Sequence, residues 1–154
     1  MKINIIAIGK LARAPETVLV KTYVDRATNA GRALGLGPIE VMEVESRKPG
    51  KSAEALALQS HLTDAHVIAC DEHGQARASR AFAAEIATLR DRGVRRLVFL
   101  IGGADGLAPE RLAQANGKLA FGPQTWPHAM ARAMLAEQVY RAMTILGGSP
   151  YHRD

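Results

Sequence analysis

Three side chains near the end of the sequence have types that can do chemistry together. Tyr151, His152 and Arg153 place an aromatic ring, an imidazole and a guanidinium next to one another, behind the flexible pair Gly147-Gly148. Such a group can stack on a nucleobase, accept a proton and hold a phosphate. A chain terminus is normally frayed and chemically inert, so a chance tripeptide at a mobile end is the competing interpretation.

A glycine-rich segment directly follows the apolar run 97–101. Gly102, Gly103 and Gly106 let the backbone approach a ligand closely, because no Cβ stands in the way. The segment lacks the Lys-Ser/Thr of a Walker A loop, and its spacing is not that of the dinucleotide fingerprint. A ligand held by backbone contacts and an apolar wall, such as an adenosyl group, fits better. Alternatively, the glycines only turn the chain into a short helix at 107–110.

The segment 121–128 is a second candidate loop. Pro123 and Pro127 restrict their own φ angles and the residues before them, so we expect this loop to be stiff. Phe121 and Trp126 can then clamp an aromatic base. A turn that merely closes the core with aromatic side chains would have the same composition, and the sequence leaves both interpretations open.

The charge balance favours an acidic partner. The chain has 154 residues, of which 47% are hydrophobic, and its net charge is +5. A basic globular protein attracts polyanions, and nucleic acid is the commonest of these. Many basic proteins bind no polyanion, so the position of the charges matters more than their sum. Arg47, Lys48 and Lys51 lie in a Pro-Gly loop from which they can reach phosphates.

Several other classes of protein are excluded. No apolar run approaches the roughly 20 residues of a membrane span, and the first run, 1–8, lacks the flanks of a signal peptide. We therefore expect a cytoplasmic protein with no membrane partner. The five histidines have no zinc-binding spacing, so no metal is expected. Cys70 is the only cysteine and lies in an apolar run, which is typical of a small buried residue.

Alternating strands and helices must position these loops. Apolar, β-branched runs predict strands at 3–8, 39–44, 66–71, 96–101 and 118–121. Helix signals between them are Pro15 in a first turn, Ser52 as the cap of a short helix, Ser79 as a start and Gly93 as a stop. This alternation predicts one α/β domain over residues 1–154, a mostly parallel sheet flanked by helices. Ligands bind such sheets beyond the carboxyl ends of the strands, where 71–74, 102–106 and 121–126 are expected.

The last helix has the clearest pattern. Apolar residues at helical spacing predict it over 128–146, with Glu137 and Arg141 as an i,i+4 ion pair in the favourable order. Its apolar surface is wider than one stripe. Such a helix must bury two sides, and we expect one to lie against its own sheet and one against another subunit.

Four segments in a fixed order carry a resemblance to a known family. They are LIGGADGL at 100–107, TWPH at 125–128, AEQVYRA at 136–142 and PYHR at 150–153. Together they resemble the 23S ribosomal RNA pseudouridine N3-methyltransferases, small members of the trefoil-knotted SPOUT superfamily. The resemblance covers the whole chain. Two segments depart from it, since GGAD stands where the family commonly has GGPE, and FGPQ where it is rich in Ser, Met and Leu.

The resemblance implies a C-terminal trefoil knot, a homodimer, and S-adenosylmethionine as methyl donor without a metal. Carried over by motif, the donor site would comprise Cys70, Gly102, Gly103, Phe121, Gly122, Pro123, Gln124, Thr125 and Trp126. The catalytic residues would be Arg141, Tyr151, His152 and Arg153. Contacts to 23S rRNA, free or in the assembled ribosome, would come from Arg47, Lys48, Lys51, His128 and Arg132.

The expected reaction is methyl transfer to N3 of a pseudouridine, whose proton must leave. His152 is the natural proton acceptor by its ordinary pKa, while Arg141 and Arg153 can hold phosphate or stabilise a developing oxyanion. Tyr151 can stack or donate a hydrogen bond. The main alternative is a non-catalytic ribosome-associated RNA-binding protein, and binding of the methyl donor distinguishes the two.

Overall fold

Five parallel strands form one sheet in the computed structural model, which describes residues 1–151. The strands are β1 (Lys2–Ile8), β2 (Ile39–Val44), β3 (His66–Ala76), β4 (Arg96–Ile101) and β5 (Gly117–Ala120). Their order across the sheet is β2-β1-β4-β3-β5, and each neighbouring pair is parallel. The helices are α1 (Pro15–Gly31), α2 (Lys51–Leu58), α3 (Ser79–Asp91), α4 (Pro109–Gln114) and α5 (His128–Leu146). The α/β architecture predicted from the alternating pattern is confirmed.

The central strands are buried on both faces, as continuous apolar runs predict. In β1 every residue after Lys2 is buried, and in β4 every residue after Arg96 is buried. One apolar cluster lies on the side of the sheet that α1, α3 and α5 cover, with Ala27, Phe82 and Leu135 among its members. A smaller cluster includes Leu58 of α2 on the opposite face. Helices therefore flank both sides of the sheet.

Strand β3 is longer than its apolar run predicts. The expected loop at 71–74 is instead a bulge inside the strand, because Cys70 and Gln75 both align with Leu119 of β5. A Cβ on Gly74 would lie 2.7 Å from the Leu119 carbonyl carbon, so only glycine lets the bulge return against β5. The prediction of a strand-end loop at 71–74 was wrong because the pairing partner of its second half lies far along the chain.

The helix boundaries largely follow their local signals. Pro15 opens α1 and α5 spans the predicted residues. Helix α3 begins at Ser79 and stops before Gly93, whose φ is +80°. The prediction that Ser52 caps α2 was wrong, because α2 already begins at Lys51 and no side chain caps it.

Helix α5 packs against both α1 and α3, so its wide apolar surface is largely covered within the chain. Leu135, Val139 and Ala142 are buried in this contact. Within residues 1–151, no helix combines the length and hydrophobicity that crossing a bilayer requires.

Candidate active site

Two of the predicted loops and the end of β3 meet at one edge of the sheet, because the carboxyl ends of neighbouring parallel strands lie together. Gly102 directly follows β4, and Phe121 directly follows β5. Cys70 lies in β3 in register with the last residue of β4, Ile101. The parallel order of β4, β3 and β5 thus brings the predicted donor-site segments to a common edge.

The glycine segment is a tight turn. Gly106 N–H donates to the Gly103 carbonyl at 3.0 Å, and a Cβ on Gly102 would lie only 2.5 Å from the Gly106 carbonyl carbon. Gly102 is therefore required by the fold itself. A Cβ on Gly103 would approach Oε1 of Glu54 to 3.2 Å, so α2 closes over this turn. The chain then enters α4 at Pro109, as the interpretation of a helix-entry turn predicts.

A cavity of about 380 Å³ lies beside β5. Phe121 and Gly122 line it, and they are the only members of the predicted donor set that do so within residues 1–151. The remaining lining residues are Ala76, Arg77, Ser79, Phe82, Leu119, Ala120, Met134, Glu137 and Gln138. The wall is thus mostly apolar, with a polar side formed by the start of α3 and the middle of α5.

The loop after β5 is braced rather than free, as its prolines predict. The Trp126 Nε1–H donates to the Phe121 carbonyl at 3.3 Å, and the Thr125 hydroxyl donates to Oε2 of Glu72 at 2.5 Å. Gly122 has a φ of +102°, which glycine adopts without strain. The Trp126 side chain is 41% exposed and does not line the cavity, so the predicted aromatic clamp is not formed around this cavity.

Cys70 is not a nucleophile at neutral pH. Burial, with a smaller contribution from the charge of Asp71, raises the pKa of its thiol to about 12. The thiolate is the reactive form of cysteine, and it is scarcely populated at such a pKa. Any role of Cys70 at the site is therefore one of contact and shape.

A second group of side chains gathers around Glu137 on α5. Its Oε1 accepts hydrogen bonds from Arg141 Nε at 2.9 Å, from Arg141 Nη2 at 2.7 Å and from the Tyr151 hydroxyl at 3.2 Å. The Arg141 guanidinium lies 5.2 Å from the Tyr151 ring centre, and the ring centres of Tyr140 and Tyr151 are 4.6 Å apart. The structure thus brings together two predicted catalytic residues, Arg141 and Tyr151. His152 and Arg153 lie outside the described residues.

These contacts shift the acid–base behaviour of both catalytic candidates. The pKa of Arg141 is raised, chiefly by its hydrogen bond to Glu137. Burial, a hydrogen bond with Tyr23 and the Glu137 charge raise the pKa of Tyr151 to about 12. Arg141 therefore stays a cation and Tyr151 a neutral phenol, able to donate a hydrogen bond, throughout the neutral range.

The predicted RNA contacts have different surroundings. Arg47, Lys48 and Lys51 are exposed, at and just before the start of α2, whereas His128 is half-buried at the start of α5. The prediction for Arg132 was wrong, since its side chain is fully buried. Sequence alone places Arg132 on α5 but does not show which face of α5 is covered.

Arg132 has a structural role instead. Its Nη1 donates to Oε1 of Glu43 at 2.6 Å and its Nη2 donates to the Gly9 carbonyl at 3.1 Å. These bonds join α5 to β2 and to the end of β1. Burial lowers the pKa of Arg132, while the charge of Glu43 opposes that change. The guanidinium therefore depends on this one carboxylate for its charge compensation.

Comparison with known proteins identifies the family. A model of the predicted SPOUT methyltransferases matches residues 1–152. The chain belongs to the SPOUT methyltransferase family. It is 80% identical to the ribosomal RNA large subunit methyltransferase H of Phenylobacterium zucineum over 154 residues, covering all of both chains. The protein of the same name from Caulobacter vibrioides is 66% identical, over 100% of this chain and 99% of that one.

Two solved structures share the fold at low identity. A probable methylase family protein from Haemophilus influenzae superposes with a TM-score of 0.57 at 14% identity, over 99% of this chain and 70% of that one. A probable methyltransferase from Bordetella pertussis gives 0.56 at 18% identity, over 92% and 96% of the two chains. At such identities the likeness supports the architecture alone.

In this SPOUT methyltransferase, sequence reasoning missed several side chains of the site. Ser79, Met134 and Gln138 line the cavity, and Glu137 was recognised only as an ion-pair partner. One signal was present, since Glu137 and Gln138 are two adjacent polar residues in the middle of a mostly apolar helix. Their neighbour Ser79 is 59 residues away in sequence, and no local pattern indicates that contact.

Proposed function

We propose that this SPOUT methyltransferase uses S-adenosylmethionine to methylate N3 of a pseudouridine in 23S ribosomal RNA. The observation that carries the proposal is the shared wall between the cavity and the Arg141–Tyr151 group, in a chain of this family. Glu137 belongs to both, so a donor in the cavity and an acceptor held by Arg141 and Tyr151 would be adjacent. The names of the relatives, which specify large-subunit ribosomal RNA, support the RNA substrate.

The cavity suits an adenosyl compound in size and lining. Its volume is about 380 Å³, and ligand pockets combine apolar walls with a few polar groups in this way. Phe121 and Gly122 would contact the donor directly, and the braced loop 123–126 would cover it. Gly102 and Gly103, which follow β4, and Cys70, within β3, do not line this cavity, and they would contact a part of the donor that extends beyond it. When bound, S-adenosylmethionine supplies an activated methyl group.

This chain's own residues then have to orient the base and remove a proton. His152 accepts the N3 proton, since imidazole is the side chain whose ordinary pKa suits that task at neutral pH. Arg141 and Arg153 stabilise the oxygen on which charge develops, or hold a phosphate. Tyr151, a neutral phenol whose single O–H donates to Glu137, stacks on the base. Orientation alone supplies several kcal/mol in such transfers.

The RNA would be held by exposed cations that follow β2, at the opposite edge of the sheet from β5. Arg47, Lys48 and Lys51 contribute charge that can replace counterions on phosphates, and His128 adds a donor at the start of α5. The substrate form, whether free RNA or the assembled ribosome, sets how many of these contacts are made. We infer that the protein acts in the cytoplasm, where ribosomes are modified.

A homodimer and a trefoil knot complete the proposal. Apolar side chains stay exposed on the α1 and α5 side of the chain, with Val18 at 68%, Leu19 at 46% and Met130 at 36% exposure. A second copy covering this surface would remove them from water. Cross-linking followed by sedimentation is expected to show a dimer that Val18→Glu with Leu19→Glu separates.

Primer extension across 23S rRNA tests the reaction. A methyl group on N3 blocks the Watson–Crick edge, so reverse transcriptase is expected to stop one nucleotide before the target only when protein and donor are both present. The same reaction without S-adenosylmethionine is the control. If titration calorimetry shows no donor binding and no stop appears, the proposed methyl transfer is contradicted and the non-catalytic RNA-binding alternative is supported.

A further inference from the structure

The Glu137 carboxylate is the most heavily bonded acidic group beside the cavity. Its side chain is 18% exposed, and Oε1 alone receives three donors, two from Arg141 and one from Tyr151. Hydrogen bonds to an ionised acceptor are roughly twice as strong as neutral ones. The three bonds together therefore fix the guanidinium and the phenol relative to α5.

The second oxygen of Glu137 is also engaged. Oε2 accepts from Gln138 Nε2 at 2.7 Å, and Gln138 Oε1 accepts from the Ser79 hydroxyl at 2.8 Å. The chain of contacts thus runs from the start of α3, along the cavity wall, to Tyr151. A carboxylate with both oxygens occupied by donors from the protein is poorly placed to take a proton from a substrate. It is well placed to hold other groups.

We propose that Glu137 is a positioning residue for methyl transfer, which holds Arg141 and Tyr151 in place beside the donor cavity. The proposal rests on the proposed function, and it adds a role for a residue that touches no reacting atom. Tyr151 immediately precedes His152 and Arg153, so its anchor also fixes the point from which the rest of the tail continues. Small misplacements of catalytic groups are costly, since about 1 Å can lower a rate by about 100-fold.

The decisive variant is Glu137→Gln, which keeps the size of the side chain and removes its charge. We expect kcat to fall by about 10- to 100-fold, while the KM values for RNA and donor change by less than about threefold. Asp91→Asn is the matched control. It removes an equivalent carboxylate–arginine contact, Asp91 Oδ1 to Arg90 Nε at 2.8 Å, at the end of α3 that leads away from the site. Its kcat is expected to stay at the wild-type value.

A second measurement reports the contact without using turnover. The groups facing the Tyr151 phenol are Glu137, Arg141 and Tyr140 from α5 and Tyr23 from α1. Removing the Glu137 charge is expected to lower the Tyr151 pKa from about 12 toward the ordinary tyrosine value. Carbon NMR of labelled tyrosine follows this titration, with Tyr151→Phe assigning the signal and Asp91→Asn leaving it unchanged.

The outcomes separate the positioning role from the proposed function. A wild-type protein that shows no donor-dependent primer stop overturns the proposed function itself. A wild-type protein that methylates, with Glu137→Gln within about twofold of its kcat, overturns only the role of Glu137. Glu137→Asp serves if the glutamine variant does not fold. It keeps the charge but withdraws it by one methylene, so a partial kcat loss of about 3- to 10-fold supports the proposal and full activity opposes it.

Discussion

Helix α5 carries two arginines, and each of them pairs with a glutamate in different surroundings. Arg132 is fully buried and bonds to Glu43 and Gly9, which belong to other parts of the fold. Arg141 is 28% exposed and bonds to Glu137 on the same helix, one turn away. The first pair ties α5 to β1 and β2. In the second pair, Glu137 lines the cavity and also accepts a hydrogen bond from Tyr151.

The difference shows that burial and connectivity decide what an ion pair does. Removing Glu43 leaves the buried Arg132 guanidinium without charge compensation where water cannot solvate it, so the loss falls on stability. A partly exposed pair within one helix contributes little to stability. Its value lies in the geometry that it imposes on its neighbours. Mutations at the two pairs should therefore affect different measurements.

The largest expected effect is on stability, at the pair whose arginine is buried. Glu43→Gln leaves the Arg132 cation without a counterion, and we expect the free energy of unfolding to fall by about 3 kcal/mol. Urea denaturation measures it. Glu137→Gln in the same assay should cost about 1 kcal/mol or less. Equal losses in the two variants would abolish the distinction between the pairs.

The next effect is on turnover, at the Arg141–Glu137 pair within α5. Arg141→Ala is expected to lower kcat by about 100-fold, because it removes a cation that stabilises developing charge. Its free energy of unfolding should change by less than about 1 kcal/mol. Arg141→Lys should recover little, since an ammonium group does not reproduce the planar fork of a guanidinium. Arg92→Ala, at the exposed end of α3, is the control and should keep wild-type kcat.

A smaller effect, on RNA binding, is expected at the exposed cations around the start of α2, which differ from both paired arginines in having no structural role. Replacing Lys48 and Lys51 by Gln should weaken RNA binding. It should also make the slope of log K against log salt shallower by about 0.7 to 0.9 for each lost phosphate contact. Filter binding over a salt series measures the slope. Lys2→Gln is the control. Lys2 starts β1 and so lies at the amino-terminal edge of the parallel sheet, away from this loop, and its replacement should leave the salt slope unchanged. An unaltered slope in the double variant would remove this loop from the RNA surface.

The smallest effect is expected at the far end of the Glu137 contacts. Ser79→Ala removes the hydroxyl that donates to Gln138, a bond worth about 1 kcal/mol, so kcat should fall by about 2- to 5-fold. Thr88→Ala is the control, because its hydroxyl donates only to the Ala84 carbonyl on the same helix. If both variants behave alike, the contacts that support Glu137 end at Gln138.

The sequence predicts the parts of this structure that local pattern controls. The boundaries of α5 and the burial of β1 and β4 follow from apolar spacing, which is a property of the segment itself. The second half of β3 cannot be predicted in this way, because its pairing with Leu119 depends on a strand that lies later in the chain. Arg132 was misassigned for the same reason, since its partner Glu43 lies 89 residues away.

Sequence motifs indicate which segments could belong to the candidate site, but they do not give its geometry. The tail, the glycine turn and the loop after β5 each have an unusual local composition, so the sequence alone is enough to propose them as site segments. Which of them form the cavity depends on tertiary packing, and only Phe121 and Gly122 of the predicted donor set line it. Glu137 needed the structure, because its contact with Tyr151 joins a helix to the segment that follows it.

The place of β1 in the sheet has a consequence for folding kinetics. β1 lies between β2 and β4, and Lys2 pairs with Arg96. During synthesis, the first strand therefore has one unpaired edge until almost two thirds of the chain has been made. Such non-local parallel pairing slows folding and exposes an apolar edge to other chains. We expect slow refolding in vitro, and aggregation that increases when refolding begins at high protein concentration.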